Sequence, residues 1–304
     1  MKGLDGLLVI DKPGGQTSRA VVNLVQRWFP TRTKVGHCGT LDPLATGVLV
    51  VCVGQATRLA DYVQQQGKTY HARIRLGAVS TTDDADGQIR EQKVAAVPTA
   101  EEIAAVLRGF VGTIWQRPPT VSAVKLHGQR AYTLARQGAA PELTPRPVSI
   151  QAIRLLDYRW PTLELEVDCG KGTYIRSLAR DVGEKLGCGG YVDALRRLRI
   201  GPFTLQQAVP LVNRTEPPPL LPLELAVAHL PRLELTADQA ERFSHGQPLA
   251  WPTKLPEGHR GATSTPPDEN HWAVVDPQGF LIGIGERHGR WMRPRVVLSR
   301  QRPR

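Results

Sequence analysis

Residues 36–53 read GHCGTLDPLATGVLVVCV, and this stretch decides the fold. In its first half, Gly36, Gly39 and Gly47 allow tight turns and a close approach of the backbone to a ligand. Its second half, residues 48–53, is apolar at every position. A short run that is apolar on both faces predicts a central strand covered from both sides. The sequence therefore predicts a glycine-punctuated loop that leads into the middle of a sheet.

Asp42 is the one ionisable side chain between the glycines at 39 and 47. Pro43 biases Asp42 away from the helical region and toward an extended backbone. A carboxylate displayed at the start of a buried strand suits a nucleophile or a base. An aspartate in a tight turn can instead serve only to hydrogen-bond the turn itself. The residue types alone favour the second interpretation, because turns select aspartate for this hydrogen bond.

Strands and helices are predicted on both sides of this loop. Alternating apolar residues predict half-buried strands, and helical spacing together with capping residues predicts helices. The predicted strands cover residues 7–10, 70–76 and 163–169, and the predicted helices begin near residues 17, 57, 99 and 175. A composition change at Glu216–Pro219 predicts a linker, with a small β domain after it. Residues 117–146 predict a long excursion from the core, and residues 256–270 a loop.

The chain is strongly basic, with 39 Lys and Arg against 28 Asp and Glu and a formal charge of +11. Such an excess favours a polyanionic partner, because a basic surface attracts a phosphate backbone. Arg196, Arg197 and Arg199 are candidates for phosphate contacts. The four cysteines fall in no metal-ligand spacing, which argues against structural zinc. Short apolar runs and no leader-like start predict a cytoplasmic chain without membrane contact.

Several motifs match one known family in order and type. Residues 36–47 resemble the catalytic-aspartate motif of the TruB and Cbf5/dyskerin group of pseudouridine synthases, written Gly-His-x-Gly-x-Leu-Asp-Pro-x-Ala-x-Gly. Further segments resemble other motifs of the group: DKPGGQTS at 11–18, KTY at 68–70, TTDDADG at 81–87, PPTVSAVK at 118–125 and GTYIR at 172–176. The resemblance extends from about residue 6 to residue 203, and is weaker after that.

The resemblance implies an α+β pseudouridine-synthase fold over residues 1–225. Its central sheet is expected to be mixed, mainly antiparallel and flanked by helices, with an RNA-clamping insertion at about 117–146. Residues 230–304 resemble a small PUA-like β-barrel that contacts RNA. The implied activity is isomerisation of uridine to pseudouridine at position 55, in the T-loop of tRNA. The base must be flipped out for this reaction. The family uses no metal or organic cofactor, and its stand-alone members imply a monomer that needs no protein partner.

The resemblance also assigns roles to individual residues. Asp42 corresponds to the nucleophile, and Tyr70 to a tyrosine that stacks on the uracil and helps to remove the proton at C5. Arg176 corresponds to an arginine that pairs with the aspartate, for which a guanidinium fork is suited. His37 corresponds to a histidine that fills space in the RNA loop. Tyr174 is a candidate pocket residue, and Lys125 a candidate tRNA contact.

Two other functions remain open at this point. One is a guide-dependent synthase of the Cbf5 kind, which modifies ribosomal RNA together with partner proteins. The insertion at 117–146 argues against it, because it resembles the loop with which stand-alone enzymes clamp tRNA. The other is a non-catalytic protein that binds RNA or assists tRNA folding. The presence of Asp42, Tyr70 and Arg176 argues against that function.

Overall fold

The computed structural model describes residues 4–121, 143–211, 214–252 and 270–299, and the backbone at 125–126 and 129–130. Within this part of the chain the helices are α1 (Ser18–Gln26), α2 (Ala60–Gln65), α3 (Ala100–Arg108), α4 (Ile175–Lys185) and α5 (Ala237–Ser244). Short 3-10 turns cover Gly54–Leu59, Leu205–Gln207 and Leu223–Val227. All but the last residue of the predicted loop at 256–270 and most of the predicted insertion lie outside the described residues.

The strands fall into a large sheet, a smaller C-terminal sheet and two hairpins. The first strands along the chain are β1 (Gly6–Lys12), β2 (Val35–His37), β3 (Thr46–Val53), β4 (Lys68–Leu76), β5 (Ala78–Ser80), β6 (Ile89–Glu91), β7 (Gly112–Gln116), β8 (Lys125–Leu126) and β9 (Gln129–Arg130). They are followed by β10 (Arg146–Arg159), β11 (Thr162–Cys169), β12 (Gly190–Ile200), β13 (Phe203–Thr204) and β14 (Val209–Pro210). The C-terminal strands are β15 (Arg232–Glu234), β16 (Leu249–Ala250), β17 (His271–Val275), β18 (Leu281–His288) and β19 (Trp291–Val297).

The large sheet has ten strands, and its central order is β14-β1-β3-β12-β4-β11-β10-β7. The pairs β1–β14 and β3–β12 are parallel, whereas all its other pairs are antiparallel. The prediction of a mixed, mainly antiparallel sheet is therefore confirmed, and β3 is central as its two-sided apolar pattern predicts. The sequence patterns did not predict β12, which inserts between β3 and β4.

The two faces of the large sheet pack against different partners. One face buries Leu8, Ile10, Ala72 and Ile74 against helices α1, α3 and α4. The other face buries side chains of β1 and β3 against α2 and strands of the C-terminal sheet. Each large apolar side chain buried in this way contributes about 1.5–3 kcal/mol. The sheet is therefore covered by apolar packing on both faces. The loop before β3 leads into a strand that this packing fixes in place.

Helix starts follow the capping residues in the sequence. The Thr99 hydroxyl accepts from the backbone N–H of Glu102, and the Glu102 carboxylate accepts from the N–H of Thr99, which is a capping box. Thr17 caps α1 by accepting from the N–H of Ala20. This leaves Ser18 free for a different contact, described below. No helix among the described residues is long and apolar enough to cross a membrane.

Candidate active site

The loop that carries Asp42 runs between two glycines with positive φ. Gly39 has φ +102° and Gly47 has φ +97°. A Cβ at Gly47 would lie 2.2 Å from the carbonyl oxygen of Arg197, so only glycine fits this point of contact between β3 and β12. The Asp42 carbonyl accepts from the N–H of Ala45, which closes a turn around Pro43. The turn places the Asp42 carboxylate just before the start of β3.

Two side chains from the N-terminal segment hold this loop in place. The Lys12 side chain is fully buried, and its Nζ donates to the carbonyl oxygens of Pro13 at 2.8 Å, Pro43 at 3.1 Å and Ala45 at 2.6 Å. Burial lowers the pKa of Lys12 to about 8, partly offset by the Asp42 carboxylate. The Ser18 hydroxyl donates to the carbonyl of Leu41 and accepts from its N–H. The backbone is therefore fixed on both sides of Asp42.

Asp42 is paired with Arg176 in a two-point contact. Arg176 Nε lies 3.0 Å from Asp42 Oδ2, and Arg176 Nη2 donates to Asp42 Oδ1 at 3.2 Å. The Arg176 side chain is only 4 % exposed, whereas that of Asp42 is 32 % exposed. The carboxylate is thus accessible from the pocket while the guanidinium beneath it is not. This geometry matches the predicted pairing of these two residues.

Arg176 is itself held by further acceptors. Its Nη1 lies 3.2 Å from Asp84 Oδ2 and donates to the carbonyl of Thr82 at 3.0 Å. Its Nη2 donates to the carbonyl of Val121 at 2.9 Å. Arg176 occupies the first turn of α4, where a cation opposes the helix dipole. The carboxylates of Asp42 and Asp84 offset that disadvantage. Together with the two carbonyls they fix the Arg176 guanidinium in one orientation.

Burial dominates the electrostatics of Asp42. It raises the pKa of the Asp42 carboxyl, and the nearby Arg176 guanidinium opposes that rise. The carboxylates of Asp84 and Asp86 raise the pKa of Asp42 further. A partly desolvated carboxylate is a better nucleophile or base than a hydrated one. Arg176 is therefore the largest influence that favours the ionised form of Asp42.

Tyr70 lies on β4 and lines the same pocket as Asp42 and Arg176. Its side chain is largely buried. Burial raises the pKa of the Tyr70 hydroxyl, and the neighbouring Arg197 partly opposes that rise. Beneath it, Lys68 Nζ donates to the carbonyls of Gln64 and Gln66 at 2.7 Å each. Burial lowers the pKa of Lys68 to about 8. The aromatic ring thus forms one wall of a cavity whose floor is rich in cationic side chains.

The other predicted site residues are placed differently. Tyr174 lines the pocket, its backbone N–H and carbonyl are both bonded to the Gln116 side chain, and Arg146 lies 5.3 Å above its ring centroid. His37 lies on β2 and is not among the described residues that line the pocket. Lys125 lies on β8, but its side chain is outside the described residues. The roles of all three stay predictions.

The structure adds residues to which the sequence assigned no role. They are Lys12, Lys68, Asp84 and Lys171, which hold the loop, pair with Arg176 or line the pocket. Lys12 and Lys68 lie inside segments that the family resemblance covers, and Asp84 lies in its acidic turn. The sequence signal for these residues was their position in a family motif. That position does not say which neighbour each side chain contacts.

The pocket encloses about 270 Å³ and opens beside the Asp42 carboxylate. Its lining combines one carboxylate, an aromatic ring and several cations, among them Lys68, Lys171 and Arg197. A pocket of this size and lining suits a single base that has left its stack. Among the described residues no group of three or more His, Cys, Asp or Glu side chains is arranged to hold a metal ion.

Three family models match most of the chain between residues 26 and 298. The model described as "TruB family pseudouridylate synthase (N terminal domain)" matches residues 26–175. The model for the "tRNA pseudouridylate synthase B C-terminal domain" matches residues 176–213. The model "Pseudouridine synthase II TruB, C-terminal" matches residues 231–298. The predicted resemblance therefore extends into the C-terminal sheet.

Curated relatives are similar over almost their full lengths. A protein of Thermobifida fusca named tRNA pseudouridine synthase B is 41 % identical over 304 residues, covering 97 % of this chain and 99 % of its own. A Ruegeria protein of the same name is 43 % identical, covering 94 % and 95 % of the two chains. A Synechococcus elongatus protein of that name is 42 % identical, covering 97 % and 98 %.

Solved structures agree on the fold. A chain of an archaeal box H/ACA sRNP Nop10–Cbf5 complex is 25 % identical with a TM-score of 0.68, covering 96 % of this chain and 85 % of its own. A chain of an H/ACA RNP bound to a substrate RNA containing 2'-deoxyuridine is 24 % identical with a TM-score of 0.69, covering 97 % and 86 %. The predicted α+β pseudouridine-synthase fold is thereby confirmed. The chain belongs to the TruB family of pseudouridine synthases.

Proposed function

We propose that this chain isomerises uridine to pseudouridine at position 55, in the T-loop of tRNA. The observation that carries the proposal is the Asp42 carboxylate, held by a buried Arg176 fork beside Tyr70 in one pocket. Relatives at about 40 % identity over nearly the full chain bear the name tRNA pseudouridine synthase B, which supports tRNA as the substrate.

Each residue has a definite part in the proposed reaction. Asp42 attacks the flipped nucleotide at the sugar or at the ring, and the glycosidic N1–C1′ bond breaks. The Tyr70 ring stacks on the free uracil while the base turns to place C5 against C1′. As C5 bonds to C1′, the bond between Asp42 and the nucleotide breaks and the carboxylate is released. The hydrogen on C5 then leaves as a proton with help from the Tyr70 hydroxyl, and N1 takes up a proton from water. Arg176 holds Asp42 ionised and oriented throughout. No cofactor is required in this scheme.

A guide-dependent activity on ribosomal RNA is the alternative. It is favoured by the fold likeness to chains of box H/ACA complexes. Identity to those chains is 24–25 %, whereas identity to relatives named for tRNA is 41–43 %. The stand-alone tRNA reaction is therefore the better supported of the two. We propose a cytoplasmic monomer that acts without a guide RNA or a protein partner.

The deciding experiment is tritium release from an unmodified tRNA transcript labelled at uridine C5. We expect the purified chain to release tritium from one uridine per tRNA, which sequencing of the product assigns to position 55. A transcript with cytidine at position 55 is the matched control and should release nothing. If well-folded tRNA binds but no tritium is released, the guide-dependent or the non-catalytic function takes the place of this proposal.

We propose a boundary between a catalytic domain at 1–225 and an RNA-binding domain at 230–304. The second domain contributes Ala273, Val275, Leu281 and Val296 to the apolar cluster beneath β1 and β3. Deleting it would uncover that cluster, so truncation alone cannot test RNA binding. Its β18–β19 hairpin exposes Arg287 and Arg290, which lie over the rings of Trp251 and Trp291. A basic and aromatic hairpin suits phosphate and base contacts.

Reversing both charges, with Arg287→Glu and Arg290→Glu together, is expected to weaken tRNA binding about tenfold at low salt. Each lost phosphate contact should also reduce the salt dependence of the Kd by about one unit of slope. The rate at saturating enzyme should stay unchanged. Arg232→Glu and Arg242→Glu together, at two other exposed positions of the same domain, make the same change in net charge and control for it. An unchanged Kd for the double variant would remove the hairpin from the RNA interface.

A further inference from the structure

Arg197 lies where the two halves of the pocket meet. Strand β12 places its backbone opposite Gly47 on one side and opposite Tyr70 on the other. Gly47 ends the loop that carries Asp42, and Tyr70 lines the same pocket as Asp42. The Arg197 side chain is 1 % exposed, so the expectation that it contacts phosphate is wrong. It points inward and forms part of the pocket lining.

The Arg197 guanidinium links the loop to the strand after it. Its Nε donates to the carbonyl of Val48 at 2.8 Å, its Nη2 to that of Gly39 at 3.2 Å and its Nη1 to that of Thr40 at 3.4 Å. One side chain therefore connects both ends of the loop around Asp42. The guanidinium therefore bridges the beginning of the loop and the first residues of β3.

Arg197 also lies directly opposite Tyr70 on the neighbouring strand β4, and both residues line the pocket. Its guanidinium lowers the pKa of the Tyr70 hydroxyl, against the rise that burial causes. Arg197 is thus bonded to the Asp42 loop and adjacent to Tyr70 from a single buried position.

This placement is costly for stability alone. Arg197 takes part in none of the ion pairs that the described residues form, and two further buried cations, Lys12 and Lys68, lie close enough for Arg197 to lower their pKa values. A buried charge whose partners are neutral carbonyls is often less stable than an apolar residue of similar volume. A role in the reaction accounts for an arginine here better than a role in the core.

We infer that Arg197 is a positioning residue, which holds the Asp42 loop and the Tyr70 hydroxyl in register across the pocket. The inference rests on the proposed function. The consequence for the reaction is specific. Moving Tyr70 should slow removal of the C5 hydrogen more than cleavage of the glycosidic bond, because the tyrosine acts in the later step. A displacement of about 1 Å at a reacting group can cost about 10²-fold in rate.

The test compares Arg197→Lys, which keeps the charge but loses the fork, with Arg197→Met, which loses both. Single-turnover rates are measured on tRNA carrying hydrogen or deuterium at C5 of uridine, at saturating enzyme. We expect both variants to lose about 10²-fold in rate, to bind tRNA within threefold of wild type, and to show a larger C5 isotope effect. Arg73→Lys, which breaks a surface pair with Asp193 on the neighbouring strand, is the matched control.

The possible outcomes separate cleanly. Thermal unfolding and circular dichroism establish that the variants are folded. A folded Arg197→Met with a rate within threefold of wild type overturns the inference, and so does a slow variant whose C5 isotope effect is unchanged. Loss of folding in both variants would assign Arg197 to the core and overturn it as well. A wild-type chain that releases no tritium refutes the proposed function instead.

Discussion

Asp42→Asn is expected to lower the rate of tritium release by at least about 10⁴-fold, the scale seen when a nucleophile is removed. Asparagine has nearly the same shape, but its amide cannot attack the nucleotide. It also offers Arg176 only one acceptor oxygen where the carboxylate offers two. The variant therefore loses the nucleophile and leaves the buried guanidinium with one carboxylate, that of Asp84.

A measurement of tRNA binding distinguishes loss of the nucleophile from a general defect of the protein. The Asp42→Asn variant should bind tRNA within about threefold of wild type, because phosphate contacts supply most of the affinity for RNA. Asp61→Asn, at an exposed position on α2, makes the same chemical change away from the pocket and should keep full activity. If Asp42→Asn released tritium at more than a hundredth of the wild-type rate, Asp42 would not be the nucleophile.

The sequence predicted the parts of this site that depend on local pattern. The apolar run after Asp42 predicted a central strand, and β3 lies between β1 and β12. The Thr99 capping box and the helix from Ile175 were also predicted, because capping and helical spacing act over a few residues. The pairing of Asp42 with Arg176 came from the family resemblance, since 134 residues separate the two in sequence.

Contacts that depend on strand order were not predictable. Nothing in the local pattern of β12 says that it pairs in parallel with β3 and antiparallel with β4. That placement brings Arg197 to carbonyls about 150 residues away in sequence. The run Leu-Arg-Arg-Leu-Arg at 195–199 suggested a basic surface, yet Arg197 is buried while Arg196 pairs with Asp11 near the surface. Burial of a charge is decided by tertiary packing, which a single sequence does not display.

Arg176→Lys should lower the single-turnover rate by about 10²–10³-fold, even though the positive charge is kept. Arg176 makes two contacts with Asp42 and further contacts with Asp84 and two carbonyls, from a planar group with five donors in fixed directions. A lysine ammonium cannot reach these acceptors together, so Asp42 loses its orientation. Tritium release at saturating enzyme measures this loss. Arg180→Lys, on the same helix and paired with Asp83, tests whether any arginine in this helix has the same effect.

The pH dependence of the single-turnover rate gives a stricter test, because each variant should move the acid limb of the rate profile in a defined direction. The reactive form of Asp42 is ionised, so the rate falls as pH drops through the pKa of Asp42. Burial raises that pKa and Arg176 opposes the rise. Weakening the pair should raise the pKa further and move the acid limb of the rate to higher pH, more for Arg176→Gln than for Arg176→Lys. The limb should stay in place for Arg180→Lys.

Asp84→Asn should move the acid limb in the opposite direction. The Asp84 carboxylate raises the pKa of Asp42, and it also competes with Asp42 for Arg176. Replacing it with a neutral isostere removes a repelling charge and leaves the guanidinium more fully to Asp42. Both changes lower the pKa of Asp42, so the limb should move to lower pH even where the rate itself falls. Shifts of the same sign in Arg176→Gln and Asp84→Asn would mean that the acid limb reports another group, and would separate the pH profile from Asp42.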